Sequence, residues 1–139
     1  MSDVWVLDNY AVLALLQNEV GSDEVLRLLT QAQDGTARVL MTWVNVGEVF
    51  YIVARRWGRE KALQTLGMLE ATTMEIVDVD RQLALAAAEI KTRHPLAYAD
   101  AFATALAMTQ DATLVTGDPE FRNVEDIVRV HWLPGKPTG

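Results

Sequence analysis

Four acidic residues stand out by their surroundings. Asp8 directly follows the apolar run Val4-Trp5-Val6-Leu7, and Asp118 follows Leu114-Val115-Thr116-Gly117. Glu48 is the only charge in the twelve residues from Trp43 to Ala54, and Asp100 is the only charge between Leu96 and Thr109. Taken singly, Asp8 also suits a helix cap and Asp118 a turn before Pro119. Glu48 and Asp100 are harder to place that way, because carboxylates in apolar segments are rarely buried unless something compensates their charge. An arginine partner, a capping role for Asp100, or a shared cation would each do so. If the four acids converge, each pair at about 4 Å repels by roughly 4 kcal/mol at an effective dielectric near 20. A divalent cation resolves that conflict. Oxygen ligands without histidine or cysteine favour Mg²⁺ or Mn²⁺, ions that keep several waters and bridge to phosphate. Such an ion activates water and stabilises charge on a phosphoryl oxygen, so the chemistry indicated is phosphodiester hydrolysis.

The elements that would position these acids alternate short apolar runs with longer helical patterns. Strands are expected at Val4–Leu7, Val39–Met41, Met74–Val77, Thr113–Thr116 and Ile127–Trp132. Helices are expected from Asp8-Asn9 through Leu16, from Ser22-Asp23 to the Asp34-Gly35 turn, and from Thr42 or Asn45 to Gly58. Further helices follow from Arg59 to about Ala71, from an Asp80 cap through Ile90, and from Ala97 to Met108 after Pro95. Strands separated by helices at this spacing predict an α/β fold, a three-layer α/β/α sandwich around a parallel sheet of four to five strands. In such a sheet ligands bind beyond the carboxyl ends of the strands, where Asp8 and Asp118 fall. The segment around Glu48 is apolar enough to be buried nearly all round.

Composition narrows the chemistry further. The 139 residues are one domain's worth, expected over 1–133 with a flexible tail at 134–139. The absence of cysteine excludes thiol nucleophiles and disulfide frameworks, and two isolated histidines, His94 and His131, argue against zinc. A net charge of −7 disfavours broad electrostatic adhesion to nucleic acid or anionic membrane. The longest apolar run, Tyr10 to Leu16, is seven residues, and no basic leader precedes it, so a soluble cytoplasmic protein is expected.

Four segments together resemble the PIN-domain ribonucleases, in particular the VapC-type toxins of toxin–antitoxin modules. They are Val6-Leu7-Asp8-Asn9, Asn45-Val46-Gly47-Glu48-Val49, Tyr98-Ala99-Asp100-Ala101-Phe102-Ala103 and Leu114-Val115-Thr116-Gly117-Asp118-Pro119-Glu120-Phe121. The resemblance runs from Val4 to about Trp132. It implies that Asp8, Glu48, Asp100 and Asp118 are catalytic metal-binding acids and that Thr116 is the polar residue accompanying the last of them. Asn9 departs from the Thr or Ser common after the first acid, but its amide can still hydrogen-bond a phosphate or a water on the ion. The resemblance further implies Mg²⁺- or Mn²⁺-dependent endonucleolytic cleavage of RNA, homodimerisation, and inhibition by a small cognate antitoxin. Local cations would reconcile the acidic charge with an RNA substrate.

Basic residues near the expected cleft supply candidate phosphate contacts: Lys91 and Arg93 before the Asp100 helix, and Arg55 among Arg55, Arg56, Arg59 and Lys61. Solvated helix termini explain the same charges. Trp43, Phe50, Tyr51 and Trp57 suit core or interface positions better than base-stacking platforms. A haloacid-dehalogenase-like phosphatase would need a second Asp two residues after the first, where Tyr10 stands. The remaining alternatives are a catalytically silent PIN-like scaffold and a non-toxin PIN nuclease in RNA processing.

Overall fold

The computed structural model describes residues 3–135. β1 (Asp3–Leu7) leads into α1 (Asn9–Leu16) and α2 (Ser22–Gln33), then β2 (Ala37–Thr42), α3 (Trp43–Trp57) and α4 (Arg59–Ala71). β3 (Glu75–Val77), α5 (Arg81–Arg93), α6 (Tyr98–Thr109) and β4 (Thr113–Thr116) follow. A 3₁₀ turn (Pro119–Val124) then connects to β5 (Val130–Trp132). The five strands form one sheet in the order β3-β2-β1-β4-β5, every neighbouring pair parallel. This is the expected three-layer α/β fold.

Local chemistry explains the helix boundaries. The Asp8 carboxylate accepts from the Ala11 amide at 2.9 Å to open α1, and Asp80 does the same for Leu83 at 2.8 Å to open α5. Thr42 opens α3 by accepting from the Asn45 amide at 3.0 Å. Gly58 takes φ 95°, a backbone conformation open to glycine, and this lets α4 start with only one residue between it and α3.

Successive residues of each central strand point to opposite faces, and the core divides accordingly. Leu7, Val39, Met41 and Val115 pack against α1 to α4, together with Val12, Leu28, Val49 and Leu69. Val6, Leu40 and Leu114 pack against α5 and α6, together with Leu83, Ile90, Leu106 and the 3₁₀ residue Phe121. The chain runs from β1 outward through β2 to β3, then returns across the sheet to β4. The strand order therefore switches direction between β1 and β4, and in such sheets the ligand crevice lies beyond the carboxyl ends at that point.

Two expectations change. The α3 helix is not buried all round: Asn45, Val46, Val49 and Val53 face inward, but Trp43, Gly47 and Tyr51 are exposed. These three recur every four residues, so they form one solvent-facing stripe that overall apolarity conceals. The fifth strand is three residues rather than six, because Ile127 belongs to the turns after the 3₁₀ segment and pairs with none of β4. The tail expected at 134–139 lies, from Lys136 onward, outside the described residues. Among the described residues no helix is long and apolar enough to cross a membrane.

Phe121 is fully buried in the core cluster that also holds Ala101, Ala105 and Leu106 of α6, so its truncation leaves a cavity in the layer that carries Asp100. Phe121→Ala is expected to lower unfolding free energy by about 3–5 kcal/mol. Urea denaturation followed by circular dichroism measures the loss.

Candidate metal centre

The crevice is built from the ends of four elements. Asp8 follows β1, Asp118 follows β4 at the start of the 3₁₀ turn, Glu48 lies in the second turn of α3, and Asp100 lies in the first turn of α6. Because β1 and β4 are adjacent, with Leu7 paired to Val115, Asp8 and the Thr116–Asp118 segment meet at one sheet edge.

Asp8 is fully buried and both carboxylate oxygens are engaged. Oδ1 accepts from the Ala11 amide, and Oδ2 accepts from the Thr116 hydroxyl at 2.5 Å. The same Thr116 oxygen accepts from the Asp118 amide at 3.0 Å, so one side chain links the first acid to the last. Between them Gly117 lies against Tyr10, and any Cβ at that position would overlap the ring. Burial pushes the Asp8 carboxyl up to about 7, against the pull of its Thr116 and Ala11 hydrogen bonds and with a further push from Asp118.

Asp100 is 6% exposed. Its carboxyl is pushed up to about 8, first by burial and then by the charges of Asp8, Asp118, Glu120 and Glu48. Glu48 is also raised, by burial and by Asp118. One oxygen of Glu48 accepts from the Asn9 amide group at 3.4 Å, so Asn9 touches an acid of the site directly. Among the described residues no ion pair with lysine or arginine involves any of the four expected acids. The arginine alternative is thereby excluded for Glu48 and Asp100. Asp100 does not cap its helix either. Ala97 occupies that position without a side-chain bond of its own, and the Glu120 carboxylate accepts from the Ala97 amide.

Glu120 is the residue that sequence reasoning left out of the site. Carboxylate oxygens of Asp100, Asp118 and Glu120 lie within 4.8 Å of one another. The signal was an acid two residues after Asp118, but charge alone does not distinguish a solvated turn residue from one bent back onto α6. The Asp118 carboxylate makes the bend by accepting from the Glu120 amide at 2.9 Å.

The donor set fits a hard divalent cation: all donors are carboxylate oxygens, and Asp8, Asp100 and Glu48 are held in surroundings that penalise their ionised forms. The expected phosphate contacts are placed less directly. The Lys91 ammonium donates to the Leu96 carbonyl at 2.9 Å and lies 5.7 Å from the Tyr98 ring centroid, closing the α5–α6 turn. Arg55 is exposed, donating to the Tyr51 hydroxyl at 3.4 Å. Arg93 is exposed beside a recess lined by Glu89, Ala105 and Met108, toward the end of α6 opposite Asp100.

The PIN domain family model matches residues 5–127. The chain belongs to the PIN domain family. The PIN fold here is similar to the Rickettsia felis VapBC2 structure bound to a promoter DNA fragment, with 17% identity and a TM-score of 0.74 over 94% of this chain and 99% of that one. It is also similar to the DNA-bound VapBC of Salmonella typhimurium, at 18% identity and TM-score 0.71 over 94% and 98%. The sarcin–ricin-loop-cleaving toxin VapC20 of Mycobacterium tuberculosis matches at 18% identity and TM-score 0.67 over 86% and 93%. No match was found among curated protein sequences.

The raised carboxyls make the metal-free PIN domain pH-sensitive in a definite direction. Above the ordinary carboxylate range the unfolded chain has released protons that folded Asp8 and Asp100 retain up to about 7 and 8. The folded state thus binds more protons, and stability falls as pH rises. In EDTA, the melting temperature is expected to be higher near about pH 5 than near about pH 8, and Asp100→Asn is expected to flatten that dependence. Thermal melts across the range check both.

Proposed function

We propose that this PIN domain is a metal-dependent endoribonuclease that hydrolyses RNA phosphodiester bonds and acts in the cytoplasm as the toxin of a toxin–antitoxin pair. The observation that carries the reading is the convergence of Asp8, Glu48, Asp100 and Asp118, from four separate elements, on one crevice in which, among the described residues, no lysine or arginine pairs with them. Four acids with no basic partner among the described residues suit a site that receives positive charge. Asp8, Asp100 and Asp118, supported by Glu48, are the residues that would hold Mg²⁺ or Mn²⁺, and Glu120 stands close enough to Asp100 and Asp118 to join them. The ion, when bound, makes water a better nucleophile and stabilises charge on a phosphoryl oxygen. Thr116 orients the Asp8 carboxylate and fixes the turn that presents Asp118. Asn9 holds Glu48 toward the crevice.

The antitoxin partner is supported by the VapBC complexes that share this fold across nearly the whole chain. A surface groove suits it as well. Leu13, Leu16, Leu26, Val53, Trp57 and Met68 line an open channel between α1–α2 and α3–α4, with Leu26, Trp57 and Met68 about half exposed. An amphipathic segment of a partner would cover this apolar surface. Homodimerisation is part of the same reading.

Purified protein is expected to cleave RNA when Mg²⁺ or Mn²⁺ is supplied and to stop in EDTA. Asp8→Asn and Asp100→Asn are each expected to lower the cleavage rate by about 100-fold or more, the scale of losing a key transition-state stabiliser, while keeping the native circular dichroism spectrum. Undiminished cleavage by Asp100→Asn protein in EDTA overturns the assignment.

A further inference from the structure

The acids of the crevice ride on separate elements, and their like charges push those elements apart. Glu48 is on α3 and Asp100 on α6, so something must hold these helices at a fixed spacing where they meet. Asn45 is placed to do this. It is fully buried, and its amide is bonded at both ends. The Thr42 hydroxyl donates to Asn45 Oδ1 at 2.5 Å and accepts the Asn45 backbone N–H at 3.0 Å. That arrangement turns Nδ2 toward α6, where it donates to the Ala99 carbonyl at 3.1 Å. Asn45 lies one helical turn before Glu48, and Ala99 directly precedes Asp100. A single side chain therefore spans from the backbone that carries one acid to the backbone that carries the other.

We propose that Asn45 is a positioning residue that ties α3 to the first turn of α6 and so sets the spacing of Glu48 and Asp100 for cation binding, an inference that rests on the metal-dependent reading above. The residue type fits the task. A lysine or arginine here would pair with the acids and compete with the ion, and an acid would add to their repulsion. A neutral amide offers both a donor and an acceptor without changing the charge of the crevice. Glu120 holds the same turn through the Ala97 amide, so two anchored peptide groups stand directly before Asp100.

The test compares Asn45→Ala with wild type and with Leu28→Ala, a control truncated in the α2 core away from the crevice. Mn²⁺ affinity is measured by electron paramagnetic resonance, and amide hydrogen exchange is followed over residues 98–102. Loss of an outer-shell support is expected to weaken Mn²⁺ binding by about 10-fold or more and to speed exchange in that turn, whereas Leu28→Ala loses stability but keeps Mn²⁺ affinity. If Asn45→Ala does not fold, Asn45→Ser replaces it, since serine is too short to reach the Ala99 carbonyl. Mn²⁺ affinity within about twofold of wild type overturns the proposal. A wild-type protein that binds no Mn²⁺ contradicts the metal reading instead; exchange then decides for Asn45, with unchanged rates over 98–102 overturning the tie.

Discussion

Burying Asp8 and Asp100 in one crevice opposes their ionisation, and ionised oxygens are what a hard cation requires. Desolvation is the leading cause of both raised carboxyls, and the charges of Asp118, Glu120 and Glu48 add to it at Asp100. No positive charge relieves the tension, because among the described residues no basic side chain forms an ion pair with these acids. Every other feature of the crevice either tolerates that tension or directs it. Thr116 and the Ala11 amide give Asp8 the hydrogen bonds that partly offset its burial. The Asn45 and Glu120 bonds keep the first turn of α6 from drifting out of range. In the proposed reading, the same repulsion that weakens the metal-free fold at high pH would become affinity for a divalent ion.

The parallel sheet makes this arrangement possible. Return of the chain from β3 to β4 places the first and last acids on adjacent strand ends, although 110 positions separate their numbers. Helices on opposite faces then deliver Glu48 and Asp100 from either side. No single segment contains the site, and each contributing segment would be unremarkable alone: a capping Asp, a turn Asp, and two acids in apolar helices.

That dispersal also governs how far the molecule was legible before its structure. Strand ends and caps could be read because they rest on local chemistry: Asp80 caps α5 and Thr42 caps α3 through bonds to residues three positions on. Glu48 and Asp100 stood out because an isolated carboxylate in an apolar segment demands compensation wherever the segment lies, and Asp8 and Asp118 because each follows an apolar strand. Glu120 could not, because its role depends on a bend that brings it onto Ala97, a residue 23 positions earlier in the chain. The exposure of Trp43 and Tyr51 was hidden for a related reason: total apolarity of α3 says little about which face meets the sheet. Lys91 sits near the crevice in sequence terms, yet its ammonium serves the Leu96 carbonyl of the neighbouring turn. Residue type showed what each group could do, and tertiary contact decided which groups were free to do it.

The central claim is that these carboxylates form one cation site at the carboxyl edge of the sheet. Crystals soaked in Mn²⁺ and measured for anomalous scattering test it most directly. The account predicts a manganese peak in the crevice bounded by Asp8, Asp100 and Asp118, lost in crystals of Asp100→Asn. A crevice without a peak while manganese binds elsewhere on the surface, or a peak that persists unchanged in Asp100→Asn, would contradict it.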